Sequence, residues 1–214
     1  MDTHSHRGSS VTARDEAILD AVSAGLRRYG PRKLTAQDVA DTAGISRMTL
    51  YRAMGSMDNA ILLTLTREFT RAVAELRAAL PPIETSSGAA RLAAFLGTGA
   101  EAFVASDLIT CVLAEQPELI EPYLSGRLGR SQELVLEAIE ELRQEGLDDG
   151  SIAAAAPTSL TLLLLVRGVA LGAPLLQGDA FARAAKELSG IALAALSVGL
   201  PAAEAPPTTP VTIA

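Results

Sequence analysis

The residues best suited to polar chemistry in this sequence are grouped in one short run, residues 46–52. The run contains Ser46, Arg47, Met48, Thr49, Tyr51 and Arg52. Arginines and hydrogen-bonding side chains of this kind suit a polyanionic partner. Charge is also uneven: residues 1–57 hold eight Arg or Lys and six Asp or Glu, whereas residues 58–214 hold ten and nineteen. Although the whole chain has a net charge of −7, we expect its N-terminal part to contact a polyanion.

Two short helices, each with its own N-cap, are predicted to position this run. Thr35 has the cap position of the first helix, with Asp38 at the third helical position, and Ser46 has the cap position of the second. The apolar pairs that staple such helix starts are Leu34 with Val39, and Ile45 with Leu50. The turn Gly44-Ile45-Ser46 separates the helices, which is typical of a helix-turn-helix.

The spacing on the second helix predicts which side chains face outward. Leu50 and Met54 are four residues apart and face inward. Met48, Thr49 and Arg52 then face outward, and Arg47 and Tyr51 flank them. Two interpretations remain at this point: a helix-turn-helix that binds DNA, or two small helices of a bundle with a solvated arginine face.

The rest of the chain also reads as helical, which predicts an all-α fold of about nine helices. Gly30-Pro31 ends a first helix that begins at Thr12. The later helices are predicted at about 58–80, 88–105, 107–116, 118–125, 127–146, 157–176 and 179–199. The predicted domains are a disordered tail (1–11), a three-helix DNA-binding domain (12–57), a helical ligand-binding and dimerisation domain (58–200) and a second disordered tail (201–214).

Residues 12–62 resemble the N-terminal domain of the TetR (tetracycline-repressor) family of transcription regulators. The resemblance is carried by LTAQDVADTAGISRMTLYRAMGSMDNAIL, residues 34–62. It implies a ligand-responsive, dimeric DNA-binding protein, most often a repressor, which binds a pseudo-palindromic double-stranded operator. The body resembles the family in its helix count and in pieces such as the helix junction at residues 115–118.

The resemblance also implies roles by position. Thr35 and Gln37 would meet phosphates or nearby bases, and Ser46 begins the helix that faces DNA. Base edges in the major groove would be read by Arg47, Met48, Thr49 and Arg52, and Tyr51 would reach the DNA backbone. Arginine can bond guanine O6 and N7, and Met or Thr can contact the thymine methyl. Met54 replaces a usual aromatic, and Met57 replaces a usual phosphate-binding lysine.

The body of the chain is expected to form the dimer and to bind a small, largely apolar molecule. The last helix carries an apolar stripe, and the helix at 160–176 is apolar nearly all round, which suits a four-helix dimer interface; the alternative is that both are core. The stripe consists of Phe181, Ala184, Leu188, Ile191, Ala195 and Val198. The ligand candidates, each of which could instead be core, are Phe95, Phe103, Leu108, Cys111, Leu134, Leu164 and Arg167. For Arg167, an ion pair between subunits is favoured over contact with an anionic ligand, because an arginine among leucines needs a polar partner.

Other classes of function have less support. The sequence has no Gly-rich phosphate loop, no GxSxG, and no histidine outside His4 and His6, so we expect no enzyme. With one cysteine, Cys111, neither a disulfide framework nor a cysteine zinc site is expected, and we expect no cofactor or metal. We expect no signal peptide, no membrane span and a cytoplasmic protein. The competing hypothesis is a helical protein–protein adaptor that has lost DNA binding.

Overall fold

The chain folds into α-helices, and a computed structural model describes residues 13–121 and 128–198. Over these ranges it contains nine α-helices and no strand, so the predicted all-α class is confirmed. The helices are α1 (Ala13–Tyr29), α2 (Ala36–Thr42), α3 (Arg47–Met54), α4 (Met57–Ala78), α5 (Gly88–Ala105), α6 (Asp107–Glu115), α7 (Arg130–Asp148), α8 (Ser159–Leu171) and α9 (Ala180–Val198). Two 3₁₀ turns lie at Pro117–Leu119 and Ala173–Leu175.

The chain divides into two compact units. The first consists of residues up to Arg71 together with Ala105–Ser131, and the second consists of Ala72–Val104 together with the residues from Gln132 onward. The first unit therefore contains α1 to α3, most of α4, and α6.

The first unit is built on one apolar face of α1. Ile18, Val22 and Leu26 on this face are buried, as their spacing predicts, whereas Tyr29 at the end of the helix is exposed. Arg67 of α4 is nearly buried, and its Nη1 lies 2.8 Å from a Glu16 carboxylate oxygen of α1. The same nitrogen lies 2.9 Å from an oxygen of Asp20. These ion pairs fix α4 against α1, and they thereby hold the segment that follows α3.

The second unit depends on close helix approaches through glycine. A Cβ placed on Gly88 of α5 would lie 2.3 Å from the Cα of Gly146 in α7. The N-terminus of α5 is closed by the Asp149 loop, because Asp149 Oδ2 accepts from the Gly88 N–H at 2.7 Å. Hydrogen bonds from the side chain of Ser151 and from the backbone N–H groups of Gly88 and Ser151 lower the pKa of Asp149.

Two predicted helices differ from the structure. The helix predicted at 157–176 ends at Leu171, and a 3₁₀ turn containing Pro174 follows, because proline has no N–H to continue an α-helix. Where a helix was predicted at 118–125, the described part is the 3₁₀ turn at Pro117–Leu119. Thr12, His4, His6, residues 122–127 and both predicted disordered tails lie outside the described residues.

Candidate nucleic-acid interface

The two caps predicted for the helix-turn-helix are both present. Thr35 Oγ1 accepts from the Asp38 N–H at 3.2 Å, and the Thr35 N–H donates to Asp38 Oδ2 at 3.0 Å. The Thr35 hydroxyl also donates to that carboxylate, and this bond lowers the pKa of Asp38. Gly44 forms the turn with φ of 67°, where glycine is favoured, and Ser46 Oγ accepts from the Thr49 N–H at 3.1 Å. Local hydrogen bonding therefore fixes where α2 and α3 begin.

Helix α3 presents the predicted face to solvent. Leu50 and Met54 are buried inside the first unit, whereas Met48 is 68% exposed to solvent. Arg47, Tyr51 and Arg52 are also exposed. Over the described ranges, neither of these arginines takes part in a hydrogen bond or an ion pair. Two arginines with unused hydrogen-bond donors, Arg47 and Arg52, and the accessible apolar side chain of Met48 thus lie together on one short helix.

Some of the other predicted contact residues already have partners inside the protein. The Thr35 hydroxyl donates its hydrogen bond to the Asp38 carboxylate. The hydroxyls of Ser46 and Thr49 are hydrogen-bonded to each other, with 2.9 Å between their oxygen atoms. Gln37 Nε2 donates to Asp41 Oδ1 at 2.7 Å. The outward face of α3 is therefore better supported as a contact surface than the start of α2.

The start of α4 is joined to the end of α3 by a residue that the sequence analysis did not single out. Asn59 Nδ2 donates to the Met54 carbonyl at 2.7 Å, and the Asn59 N–H donates to Ser56 Oγ at 3.0 Å. The Ser-x-x-Asn spacing, which is typical of a helix cap, was the available signal. Met57, where a lysine was expected from the resemblance, is half-buried in the first turn of α4.

The ligand candidates differ in exposure and in location. Leu108 and Cys111 belong to the first unit, and the remaining candidates belong to the second. Phe95 and Leu108 are buried, and Phe103, Cys111, Leu134 and Arg167 are half-buried. Leu164 is 51% exposed on the outer side of α8, so its side chain does not face the interior.

Cys111, one of the ligand candidates that could instead be core, has a carboxylate neighbour. It is half-buried, and its Sγ donates to Glu115 Oε1 at 3.8 Å. Burial and, secondarily, the Glu115 carboxylate raise the pKa of this thiol, which therefore remains protonated at neutral pH.

Helices α8 and α9 contact each other, and a set of large apolar side chains on these two helices is exposed. The set consists of Leu160, Leu164, Leu165, Ile191, Leu193 and Val198. We call it the α8/α9 face. Burial along the stripe predicted on α9 is mixed, because Leu188 is buried beside Ala185, Ala192 and Leu196, whereas Ile191 and Val198 are exposed. Since α9 is apolar on more than one side, spacing alone did not identify the side that packs inward.

The described part of the chain gives little sign of a membrane span or of a metal site. No single helix there has both the length and the apolar character of a membrane span, although α5 and α6 taken together pass by length and composition. Within residues 13–121 and 128–198, no three His, Cys, Asp or Glu side chains come together as a metal site would need.

Comparison with known proteins places this fold among transcription regulators. The sequence matches no family model and no curated protein. Among solved structures, it is similar to the transcriptional repressor QsdR of the TetR family from R. erythropolis, at TM-score 0.61 and 21% identity over 89% of this chain and 97% of that one. A TetR transcription regulator from Haloarcula marismortui gives TM-score 0.61 and 20% identity over 86% of this chain and 97% of that one. The regulator FadR from Bacillus subtilis, solved in complex with stearoyl-CoA, gives TM-score 0.57 and 13% identity over 86% and 98%.

The chain therefore has the fold of TetR-family transcription regulators, an N-terminal helix-turn-helix followed by a helical body, as the sequence analysis predicted. All three of these solved structures are transcription regulators.

Proposed function

We propose that this protein is a dimeric, ligand-responsive transcription regulator that binds double-stranded DNA through α3, most simply as a repressor. One observation carries the proposal: Arg47, Met48, Tyr51 and Arg52 are exposed together on a helix whose opposite side is buried. Residues 12–57 would form the DNA-binding domain, and residues 58–200 would bind the ligand and form the dimer. The fold shared with TetR-family regulators supports this division of roles.

Helix α3 would lie in the major groove. Arg47 and Arg52 can each donate two hydrogen bonds to guanine O6 and N7, and Met48 can contact a thymine methyl. Tyr51 would donate its hydroxyl to a backbone phosphate, which positions the helix without reading sequence. Because α3 is only eight residues long, one copy reads only a few base pairs, so a specific site requires two copies.

The α8/α9 face would provide the dimer interface. Its leucines and Ile191 are exposed in the single chain, although side chains of this kind are stabilised by burial. A two-fold dimer would pair the same face of each protomer and form a four-helix interface. The operator would then be a pseudo-palindrome with half-sites about one helical turn apart.

The ligand would be a small, largely apolar molecule held by the body, and its binding would weaken DNA binding. The apolar composition of α5, α8 and α9 supports this, as does the acyl-CoA in one structural neighbour. Helix α6 offers a route to the DNA-binding domain because it contacts α1, and Arg32 Nε donates to the Glu115 carbonyl at the end of α6. Linkage requires DNA to weaken ligand binding by the same factor, commonly about 5–150-fold.

The test is selection of bound sequences from random duplex DNA by the full chain. We expect enrichment of a two-fold symmetric sequence. The competing hypothesis, an adaptor that has lost DNA binding, is favoured by the missing cation at Met57. It predicts no enrichment above a no-protein control, and that result would overturn the proposal.

A further inference from the structure

The segment of the DNA-binding domain with the most cations is not α3 but the end of α1 together with its connection to α2. Residues 21–37 contain four cations and no carboxylate: Arg27, Arg28, Arg32 and Lys33. Half of the eight cations in residues 1–57 are therefore in this segment, whereas α3 has two. A local excess of one sign of charge marks a surface that attracts the opposite sign.

The four cations differ in how they are already used. Arg27 Nη1 donates to Ser23 Oγ at 2.6 Å, and the guanidinium of Arg28 lies 5.1 Å from the centre of the Tyr29 ring. Arg32 donates its Nε–H to the Glu115 carbonyl, which leaves its other N–H groups. Lys33 is exposed and makes no hydrogen bond or ion pair with any described part of the chain. Of the four cations, Lys33 is therefore the one without a partner among the described residues.

The backbone holds Lys33 at a fixed place beside the helix-turn-helix. Lys33 is two residues before Thr35, the N-cap of α2. The residue between them, Leu34, is buried against Gly25 so closely that a Cβ on Gly25 would lie 2.4 Å from Leu34 Cδ1. In helix-turn-helix proteins the helix that precedes the reading helix crosses the DNA backbone. Lys33, in the segment before α2, would therefore lie near phosphates when α3 lies in the major groove.

We propose that Lys33, together with the remaining N–H groups of the adjacent Arg32, forms a phosphate-binding surface that takes the duplex DNA backbone beside the site read by α3. The proposal rests on the proposed function and adds to it a sequence-independent contact. A phosphate contact fixes the position of the protein on DNA but carries no sequence information.

The chain offers a matched control for testing this contact. It has only two lysines, and the second, Lys186, is exposed on α9. Lys33→Ala and Lys186→Ala change the net charge equally, so any difference between them reports on place rather than on total charge. Lys33→Arg keeps the cation at the same position.

The measurement is a titration of the full chain and the variants against the selected DNA and a scrambled duplex at several salt concentrations. For Lys33→Ala we expect the slope of log affinity against log salt to fall by about 0.9 per subunit. If parent and variant bind equally at 1 M salt, this difference in slope makes the variant bind roughly eightfold more weakly per subunit at 0.1 M salt. The ratio of specific to scrambled binding should not change, and Lys33→Arg and Lys186→Ala should behave as the parent.

If Lys33→Ala gives the affinity and slope of Lys186→Ala while the parent binds DNA, the inference is wrong and the proposed function stands. If Lys33→Ala lowers the ratio of specific to scrambled binding but leaves the salt slope unchanged, Lys33 reads bases and the phosphate assignment is wrong. A parent that binds no duplex at any salt concentration would overturn both proposals. Equal thermal unfolding of parent and variants establishes that each comparison concerns folded protein.

Discussion

The dimer proposal predicts that one substitution on the α8/α9 face, Ile191→Asp, dissociates the protein. Ile191 is 63% exposed in the single chain and lies on α9, which packs beside α8. In a two-fold dimer each protomer would bury this side chain against its partner. Aspartate would remove that apolar contact and would place one carboxylate from each subunit in the interface.

The size of the effect follows from the exposure of Ile191. Full burial of an isoleucine side chain contributes about 1.5–3 kcal/mol. Burying the fraction that is still exposed would then contribute about 1–2 kcal/mol per protomer and ~2–4 kcal/mol per dimer. Because ~1.4 kcal/mol corresponds to a factor of ten, the dimer Kd should rise at least 30-fold, and up to several hundred-fold. Repulsion between the new carboxylates adds to this.

The assay is sedimentation velocity over a concentration series, with Ile83→Asp as the control. Ile83 lies between α4 and α5, is 54% exposed, and does not belong to the α8/α9 face. We expect the parent and Ile83→Asp to remain dimeric at micromolar concentration, whereas Ile191→Asp sediments as a folded monomer. A parent that is monomeric, or an Ile191→Asp variant that stays as dimeric as Ile83→Asp, would refute the assignment of this face.

Three further predictions concern the start of α4 and the start of α5. Met57→Lys should tighten binding to specific and nonspecific DNA alike and should steepen the salt slope by about 0.9 per subunit, measured by titration at several salt concentrations; an unchanged slope would mean that α4 does not approach the backbone. Gly88→Ala should lower the unfolding free energy by roughly 1–3 kcal/mol in urea, because its Cβ would overlap the Gly146 backbone; parent-like stability would mean that α5 and α7 are not this close. Asp149→Asn should destabilise the protein at neutral pH. Because the folded pKa of Asp149 is lowered, its contribution is present above the unfolded pKa of about 3.9 and is lost as pH falls through the folded value. The gap in urea midpoint between parent and Asn variant should therefore narrow below about pH 4, and a gap independent of pH would contradict this reasoning.

The sequence predicted the helix-turn-helix well because its determinants are local. A cap and its acceptor lie three residues apart, as for Thr35 with Asp38, and the turn needs a residue that tolerates positive φ, which Gly44 provides. The inward side of α3 followed from the separation of Leu50 and Met54. Each of these signals lies within a few residues, so long-range packing did not need to be known.

The body was less predictable because its helices are apolar on more than one side. The stripe predicted on α9 joined Leu188, which is buried, to Ile191, which is exposed. Leu164 similarly faces outward on α8, although a leucine at that position reads equally well as interior. Which side of such a helix packs inward depends on close approaches to distant segments, such as Gly97 of α5 with Ser189 of α9, and spacing within one helix does not contain that information.

The central claim, that α3 reads DNA, is tested most directly by fluorescence anisotropy titration of the selected duplex with the parent, Arg47→Ala and Arg52→Ala. Both arginines are exposed, so the variants should unfold at the temperature of the parent. If each contacts a base, each substitution should weaken specific binding by ~1–3 kcal/mol, which is roughly 5- to 150-fold, and should relax the preference at one position of each half-site. Parent-like affinity and parent-like selectivity in both variants would contradict the account, because α3 would then not be the helix that reads the sequence.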